Sequence, residues 1–399
     1  MEKLRERLMN GRADLPRIGS VEPGRGTLPP YVVVDESGTE LEPVTRYLRD
    51  LALSDMSPLT CRSYGFDLLR WFRVLWALDV SWEKATQSEA DVMVGWMRTA
   101  ANPQRERRRA GGTPAGMVNL RTGKPALAAG YAPRTINHAL SAVHGFYSFH
   151  GHFGRGPVVN PVPSSRQRRR ALGHRSPVEA RAVFRRARLR QRVADVAPRA
   201  LTDAQWDELF AAMTCDRDRA VLLCYVSSGA RANELLGAQL GDVDWGGLKI
   251  YVVSKGTRLR QAVPASPEAF LYLARYLDAD GVPAADEPLW RTRRGEKRAL
   301  TYWAMRRVLQ RANAVLGTNW TLHDLRHTAA TRMANDPAMT LAEVQQILRH
   351  ADINVTARYV TVRIEEMFDK LQEHYQRPRP QRTYTPGYDA ADIRAVFGG

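Results

Sequence analysis

Residues 166–192 hold eleven arginines against a single acid, Glu179, a net +10 in 27 residues. Such a stretch cannot bury itself, because desolvating that many like charges outweighs what its few apolar residues return. It therefore divides the 399-residue chain in two. One part ends at Asn160-Pro161-Val162-Pro163 and the other opens near Thr202, each of ordinary domain size. The whole chain carries +17, built from 52 Arg and only 7 Lys, so it stays basic outside this segment. A polyanionic partner follows, and nucleic acid fits better than a membrane because no amphipathic Lys/Trp anchor accompanies the run. Arginine spread over solvated surfaces by compositional bias gives the same net charge, so charge alone does not decide.

No apolar run approaches the roughly 18 residues of a membrane helix, and the start, MEKLRERLMN, lacks a signal peptide's apolar stretch. Cys61, Cys215 and Cys224 are odd in number and without metal-type spacing. A cytoplasmic protein is expected.

Residues 1–40, Gly/Pro-rich with one strand candidate at Tyr31–Asp35, are expected to form an arm. Over 41–163 helical pattern dominates. Ser57 and Pro58 make an N-cap and first-turn pair ahead of Tyr64, Leu68, Trp71, Phe72 and Leu75 on one face. Residues 100–130, with five glycines and an RERRR cluster, are expected as a long loop. Ile136, Ala139, Leu140, Val143 and Tyr147 form the next stripe, stopped by Gly151. After the 164–199 linker, Thr202 and Gln205 form a capping box ahead of Trp206, Leu209, Phe210 and Met213. Asp218–Ser228 reads as a buried helix, and Leu248–Val253, a turn at 254–257 and Arg258–Val263 as a hairpin. Helices follow at Pro267–Leu277, Tyr302–Leu316, Leu322–Ala334 and Leu341–Arg349, the last capped by Thr340 with Glu343. The predicted fold class is mainly α (α+β): an all-helical N-terminal domain and a mainly helical C-terminal domain with a small antiparallel sheet.

The chemistry-bearing residues concentrate in the second part. His323-Asp324-Leu325-Arg326-His327 lies on a helix whose apolar face is Leu322, Leu325, Ala329 and Met333, which leaves His323 and Arg326 together on a polar face. Arg231 follows a buried helix at a glycine-containing bend, His350 follows a capped helix, and Tyr359 comes nine residues later. Singly, a histidine or tyrosine usually fills a partly buried structural site. Two Arg, two His, a hairpin Lys and a Tyr in a basic chain are more than that.

In these residues the chain resembles the tyrosine recombinase (phage integrase) family. The family's G-L-R-x-S-E-L box stands as Gly229-Ala230-Arg231-Ala232-Asn233-Glu234-Leu235, its hairpin lysine as Lys255, and its H-x-L-R-H-[ST] box as His323 to Thr328. L-G-H and the tyrosine nine residues on appear as Leu348-Arg349-His350 and Tyr359. Ala230, Asn233 and Arg349 depart from the pattern, and Arg349, in place of Gly, bears on the turn before His350. The similarity spans about three quarters of the chain, with 43–163 resembling the helical core-binding domain and 200–376 the catalytic domain. Residues 377–399 are a tail expected to dock on a neighbouring protomer or to fray.

The resemblance implies strand cleavage by Tyr359 through a covalent 3′-phosphotyrosyl bond. Rejoining needs no metal, ATP or other cofactor, and four protomers assemble on double-stranded recombination sites from a free monomer. Arg231 and Arg326 would bind the non-bridging phosphate oxygens, Lys255 would protonate the leaving oxygen, His323 would take the tyrosine proton or bond the phosphate, and His350 would donate to it, with Glu234 orienting the cluster. The side chains suit these tasks. Guanidinium forks are permanently charged and match phosphate geometry, a lysine releases its proton when cations crowd it, and a tyrosine with pKa near 10 needs help to ionise. DNA contacts are expected from Arg105, Arg107 and Arg108 in the loop, Arg166, Arg168, Arg169 and Arg170 in the linker, and Arg134 and Arg258. A mobile element, nucleoid association and an accessory or directionality protein complete the expectation. Three rivals share parts of the pattern. A metal hydrolase would use His323-Asp324-x-x-His327 as a near H-E-x-x-H, but leaves Arg231, Lys255 and Tyr359 unexplained. The others are a type IB-like topoisomerase and a catalytically inactive DNA-binding protein.

Overall fold

A computed structural model describes residues 2–102, 116–126, 128–163, 188–194, 198–254, 258–350 and 353–360, with single positions at 372, 375, 376, 391 and 395. It divides into two compact units, Met1–Val196 with Gly317–Asn319, and Ala197–Leu316 with Trp320–Gly399.

Unit 1 is helical around an aromatic core. Its described elements are α1 (Glu2–Met9), the antiparallel pair β1 (Ser20–Pro23) and β2 (Tyr31–Val34), α2 (Glu42–Leu53), α3 (Pro58–Ala77), α4 (Gln87–Thr99) and α5 (Pro133–His152). The Ser57 hydroxyl accepts the Thr60 amide and Pro58 opens α3, as the sequence predicts. Trp71 on α3 is fully buried, and its indole N–H donates to Tyr147 Oη at 3.0 Å, which in turn donates to the Trp82 carbonyl at 2.9 Å. The polar tips of two large rings are thus satisfied inside the core, which avoids the penalty of an unmade bond. The expected arm at 1–40 is part of this core: Leu8 and Val33 are completely buried, and α1 packs on α4. A two-stranded ribbon and one short helix can each hide an apolar face only against a larger body. Helix α5 runs through Gly151 and stops at Phe153, where Gly154 takes a positive φ of 65°.

Unit 2 contains α6 (Asp203–Ala211), α7 (Asp216–Ser228), α8 (Ala232–Leu236), β3 (Val243–Asp244), β4 (Lys249–Val253), β5 (Arg260–Pro264), α9 (Pro267–Asp280), α10 (Tyr302–Leu316), α11 (Leu322–Ala334), α12 (Leu341–Leu348) and α13 (Ile353–Ala357). The predicted hairpin gains β3 on its edge, giving an antiparallel sheet in the order β3-β4-β5. Both predicted capping boxes form, at Thr202 with Gln205 and at Thr340 with Glu343. Helix α7 is buried nearly all round and packs on α9 and α11. At its end Gly229 has φ +60°, and a Cβ there would lie 2.5 Å from Leu348 Cδ2. Only a glycine lets α12 come that close. Among the described residues no helix is long and apolar enough to cross a membrane.

Candidate active site

The site lies within unit 2, where the ends of α7, α11 and α12 meet. Arg326 rises from α11 and, against expectation, is buried at 7% exposure rather than displayed on a polar face. The reason is a set of main-chain acceptors that only the tertiary fold brings together. Nη1 donates to the Gly229 carbonyl, Nη2 to the Leu348 carbonyl at 2.7 Å, and Nη2 also meets His350 Nε2 at 3.0 Å. Burial, with Arg231 and Arg349 close by, draws the Arg326 pKa down to about 10, so it keeps its charge at neutral pH.

Arg231 caps the N-terminus of α8. Its backbone amide donates to Glu234 Oε2 at 3.1 Å, its Nη1 to Glu234 Oε1 at 3.0 Å, and its Nη2 to the Arg349 carbonyl at 3.3 Å. A Glu at the third helical position reaches back in this way whenever the capping residue offers a free amide. The Arg231 side chain is 36% exposed, within reach of a ligand. Glu234 is buried, as the orienting carboxylate of the sequence reading, and Arg349 Nη2 also donates to its Oε2, at 2.7 Å.

Arg349 takes the left-handed conformation, φ +55°, that glycine adopts without cost, so the turn before His350 forms despite the departure from the family pattern. His350 Nδ1 meets Thr356 Oγ1 at 2.9 Å. Burial first, then Arg326, Arg231 and Arg349, push its pKa down to about 4, so the ring is neutral at physiological pH. With Nε2 receiving the Arg326 N–H, the single ring proton belongs on Nδ1 and goes to Thr356. In this arrangement His350 holds Arg326 in place rather than presenting a donor of its own.

Tyr359, 6% exposed, packs with Ala330, Val344 and Leu348. Its hydroxyl lies 2.8 Å from His327 Nδ1, and its ring stacks on His350 with centroids 6.2 Å apart and planes at 12°. Burial raises its pKa, opposed by Arg326 and Arg358, so the phenol is held in its protonated form within hydrogen-bond distance of the His327 ring. The sequence reading gives the tyrosine proton to His323. That ring is exposed and meets His327 edge to face, with centroids 4.1 Å apart, one place removed from the hydroxyl. The i, i+4 spacing of His323 and His327 was legible, but the pairing of His327 with Tyr359 needs α13 and the bend after it to be in place.

Arg231, Arg326, His350, Tyr359 and Glu234 therefore meet in one cluster, with His323 at its edge. Lys255 lies outside the described residues, between β4 and β5 in the sequence. So do Arg105, Arg107, Arg108, Arg166, Arg168, Arg169 and Arg170. Arg258 is exposed beside the hairpin turn with φ +55°, and Arg134 is exposed in the first turn of α5 in unit 1. The hydrolase rival loses its base: Asp324 accepts the Thr321 amide at 2.8 Å and hydroxyl at 2.6 Å, closing the cap of its own helix.

Residues 199–366 match the model of the phage integrase family. The tyrosine recombinase XerC of Pelobacter propionicus is 32% identical over 170 residues, 41% of this chain and 55% of the relative. The tyrosine recombinase XerD of Pseudomonas aeruginosa is 33% identical over 191 residues, 45% of this chain and 63% of the relative. The chain thus spans between half and two thirds of the length of these relatives. Among solved structures, the Tn1549 transposon integrase in complex with circular intermediate DNA aligns with a TM-score of 0.53 at 15% identity, covering 84% of this chain and 99% of that one. A lambda integrase dimer bound to a COC′ core site aligns with a TM-score of 0.54 at 17% identity, covering 81% and 95%. At such identities the likeness is one of fold, and the mainly helical architecture with a small antiparallel sheet agrees with it.

Proposed function

Since residues 199–366 form a phage integrase family domain, we propose that this chain is a tyrosine recombinase that cleaves and rejoins DNA strands at specific sites. The observation that carries the reading is the Tyr359 hydroxyl, 2.8 Å from an imidazole nitrogen and in one cluster with Arg326 and His350. That is an activated-nucleophile arrangement beside fixed positive charge.

In the proposed reaction the Tyr359 oxygen attacks the scissile phosphorus and its proton passes to His327 Nδ1. A Tyr Oη–P bond forms and the bond from phosphorus to the 5′ oxygen breaks. Lys255, assigned from its motif, supplies the proton that the departing 5′ oxygen takes up. Arg231 and Arg326 carry the negative charge that grows on the non-bridging oxygens, a task suited to guanidiniums that cannot deprotonate at working pH. One phosphoester replaces another, so a 5′ hydroxyl reverses the step without ATP or metal. Four protomers on two duplexes, a mobile-element setting and an accessory partner belong to the same proposal. Binding would rest on phosphate contacts from Arg134, Arg258 and the arginines of the loop and linker, and would weaken steeply with salt.

The test mixes the protein with DNA from the flanks of its own gene in excess EDTA and looks for an SDS-resistant protein–DNA adduct. Wild type is expected to form it, whereas Tyr359→Phe should bind the DNA and form none. An adduct that survives Tyr359→Phe, or cleavage that requires metal and leaves no adduct, would overturn the reading.

A further inference from the structure

Arg349 occupies a backbone conformation made for glycine and places its guanidinium on Glu234, a buried carboxylate of the site. Resting on the tyrosine recombinase reading, we infer that Arg349 is a positioning residue that shares Glu234 with Arg231 and so keeps Arg231's charge available to the scissile phosphate.

Three observations carry this. Glu234 has 2% of its side chain exposed, and its two oxygens are divided: Oε1 takes Arg231 Nη1 at 3.0 Å, while Oε2 takes Arg349 Nη2 at 2.7 Å and the Arg231 amide at 3.1 Å. One negative charge therefore serves two permanent cations, and the trio is net positive. Without Arg349 the carboxylate would offset more of the Arg231 charge, and a more nearly neutral pair attracts a phosphate weakly. Second, the Arg349 side chain is only 9% exposed while that of Arg231 is 36% exposed, so a ligand meets Arg231 and Arg349 acts from behind it. Third, the Arg349 carbonyl accepts from Arg231 Nη2 at 3.3 Å, tying the same residue to Arg231 at both its ends. The left-handed φ of +55° argues against a purely structural role. Glycine would close this turn with less strain, so the turn itself does not call for an arginine.

The test compares Arg349→Gly, Arg349→Lys, Glu234→Gln and the double variant Glu234→Gln/Arg349→Gly in the full-length chain. Arg349→Gly should hold or raise the melting temperature, yet slow adduct formation at saturating DNA by about tenfold to a hundredfold. Arg349→Lys, equally strained but still cationic, should recover most of that rate. In the Glu234→Gln background, with no carboxylate left to share, Arg349→Gly should change the rate little. A second arm uses inorganic phosphate as probe, read as its protection against thermal unfolding. Arg349→Gly should weaken that protection and Arg349→Lys should restore it. Wild-type rate and phosphate protection in Arg349→Gly would overturn the inference. So would a Lys variant as slow as the Gly variant, or an equal loss from Arg349→Gly with and without Glu234. If wild type forms no adduct, the recombinase reading fails and the phosphate arm alone decides the role of Arg349.

Discussion

Among the described residues, each unit buries a carboxylate between two basic groups, and the two trios differ in one respect. In unit 1, Asp67 takes Arg70 Nη1 at 2.6 Å and His138 Nδ1 at 2.5 Å. In unit 2, Glu234 takes Arg231 and Arg349 at 3.0 and 2.7 Å. The first trio contains an imidazole, whose pKa is raised by the hydrogen bond to Asp67, so it can drop to neutrality by losing a proton. The second holds two guanidiniums and cannot shed charge at any working pH. Burial first, then a third guanidinium, Arg326, together with Arg231 and Arg349, depress His350 to about 4. A structural trio can be self-compensating. On the recombinase reading, a trio that meets a phosphate has to stay positive.

The sharpest way to break this contrast is to delete one guanidinium from each side. Arg326→Ala should cut adduct formation by about a thousandfold, the scale of losing a main stabiliser of transition-state charge. Arg70→Ala should leave the rate near wild type, and an equal loss from both would mean that unit 1 shares in the chemistry. Next in size is stability. Glu234→Ala strands two cations and should cost about 3 kcal/mol in thermal unfolding, discounted for the part-exposed Arg231. Asp67→Ala should cost about 2 kcal/mol at pH 5.5, and less once the pH has passed the raised His138 value and the ring has given up its proton. A pH-independent cost for both would erase the distinction. The smallest effect is in titration. Histidine NMR resonances should place His138 above the ordinary 6.5 and His350 near 4. By linkage, the His138 pair stabilises unit 1 below about 6.5 and is lost as pH rises through its raised value. Unit 2 loses stability as pH falls from 6.5 toward 4, because the unfolded chain then binds a proton that folded His350 refuses.

Sequence patterning captured whatever depends on neighbours a turn apart. Helices α10 and α11 have the predicted bounds, and the Thr202 and Thr340 boxes form because a capping hydroxyl and its partner are three residues distant. Helix α4 went unread although Thr86 and Glu89 make the same box. The 1–40 segment misled because its glycines and prolines suggest looseness, whereas Leu8 and Val33 are fully buried on elements that pack on helices, α1 on α4 and β2 on α2 and α3. At the site, the identity of Arg231, Arg326, His350 and Tyr359 was readable from motif order, but their partners were not. Arg326 satisfies its charge on carbonyls 97 and 22 residues away, and Arg349 meets Glu234 across 115 residues. No local spacing encodes those distances.

The close approach of Leu348 to Gly229 has a consequence for how the domain can be turned off. Of the acceptors that hold Arg326, the Leu348 carbonyl and His350 arrive with α12, and only the Gly229 carbonyl belongs to the earlier helices. If α12 lifts away, Arg326 loses most of its seat and Arg349 leaves Glu234, while the main core of unit 2, built from α6 to α11, is left standing. On the recombinase reading, adduct formation is therefore expected to fail at a lower temperature than that at which the main core of unit 2 unfolds, a difference that activity and calorimetric scans would read.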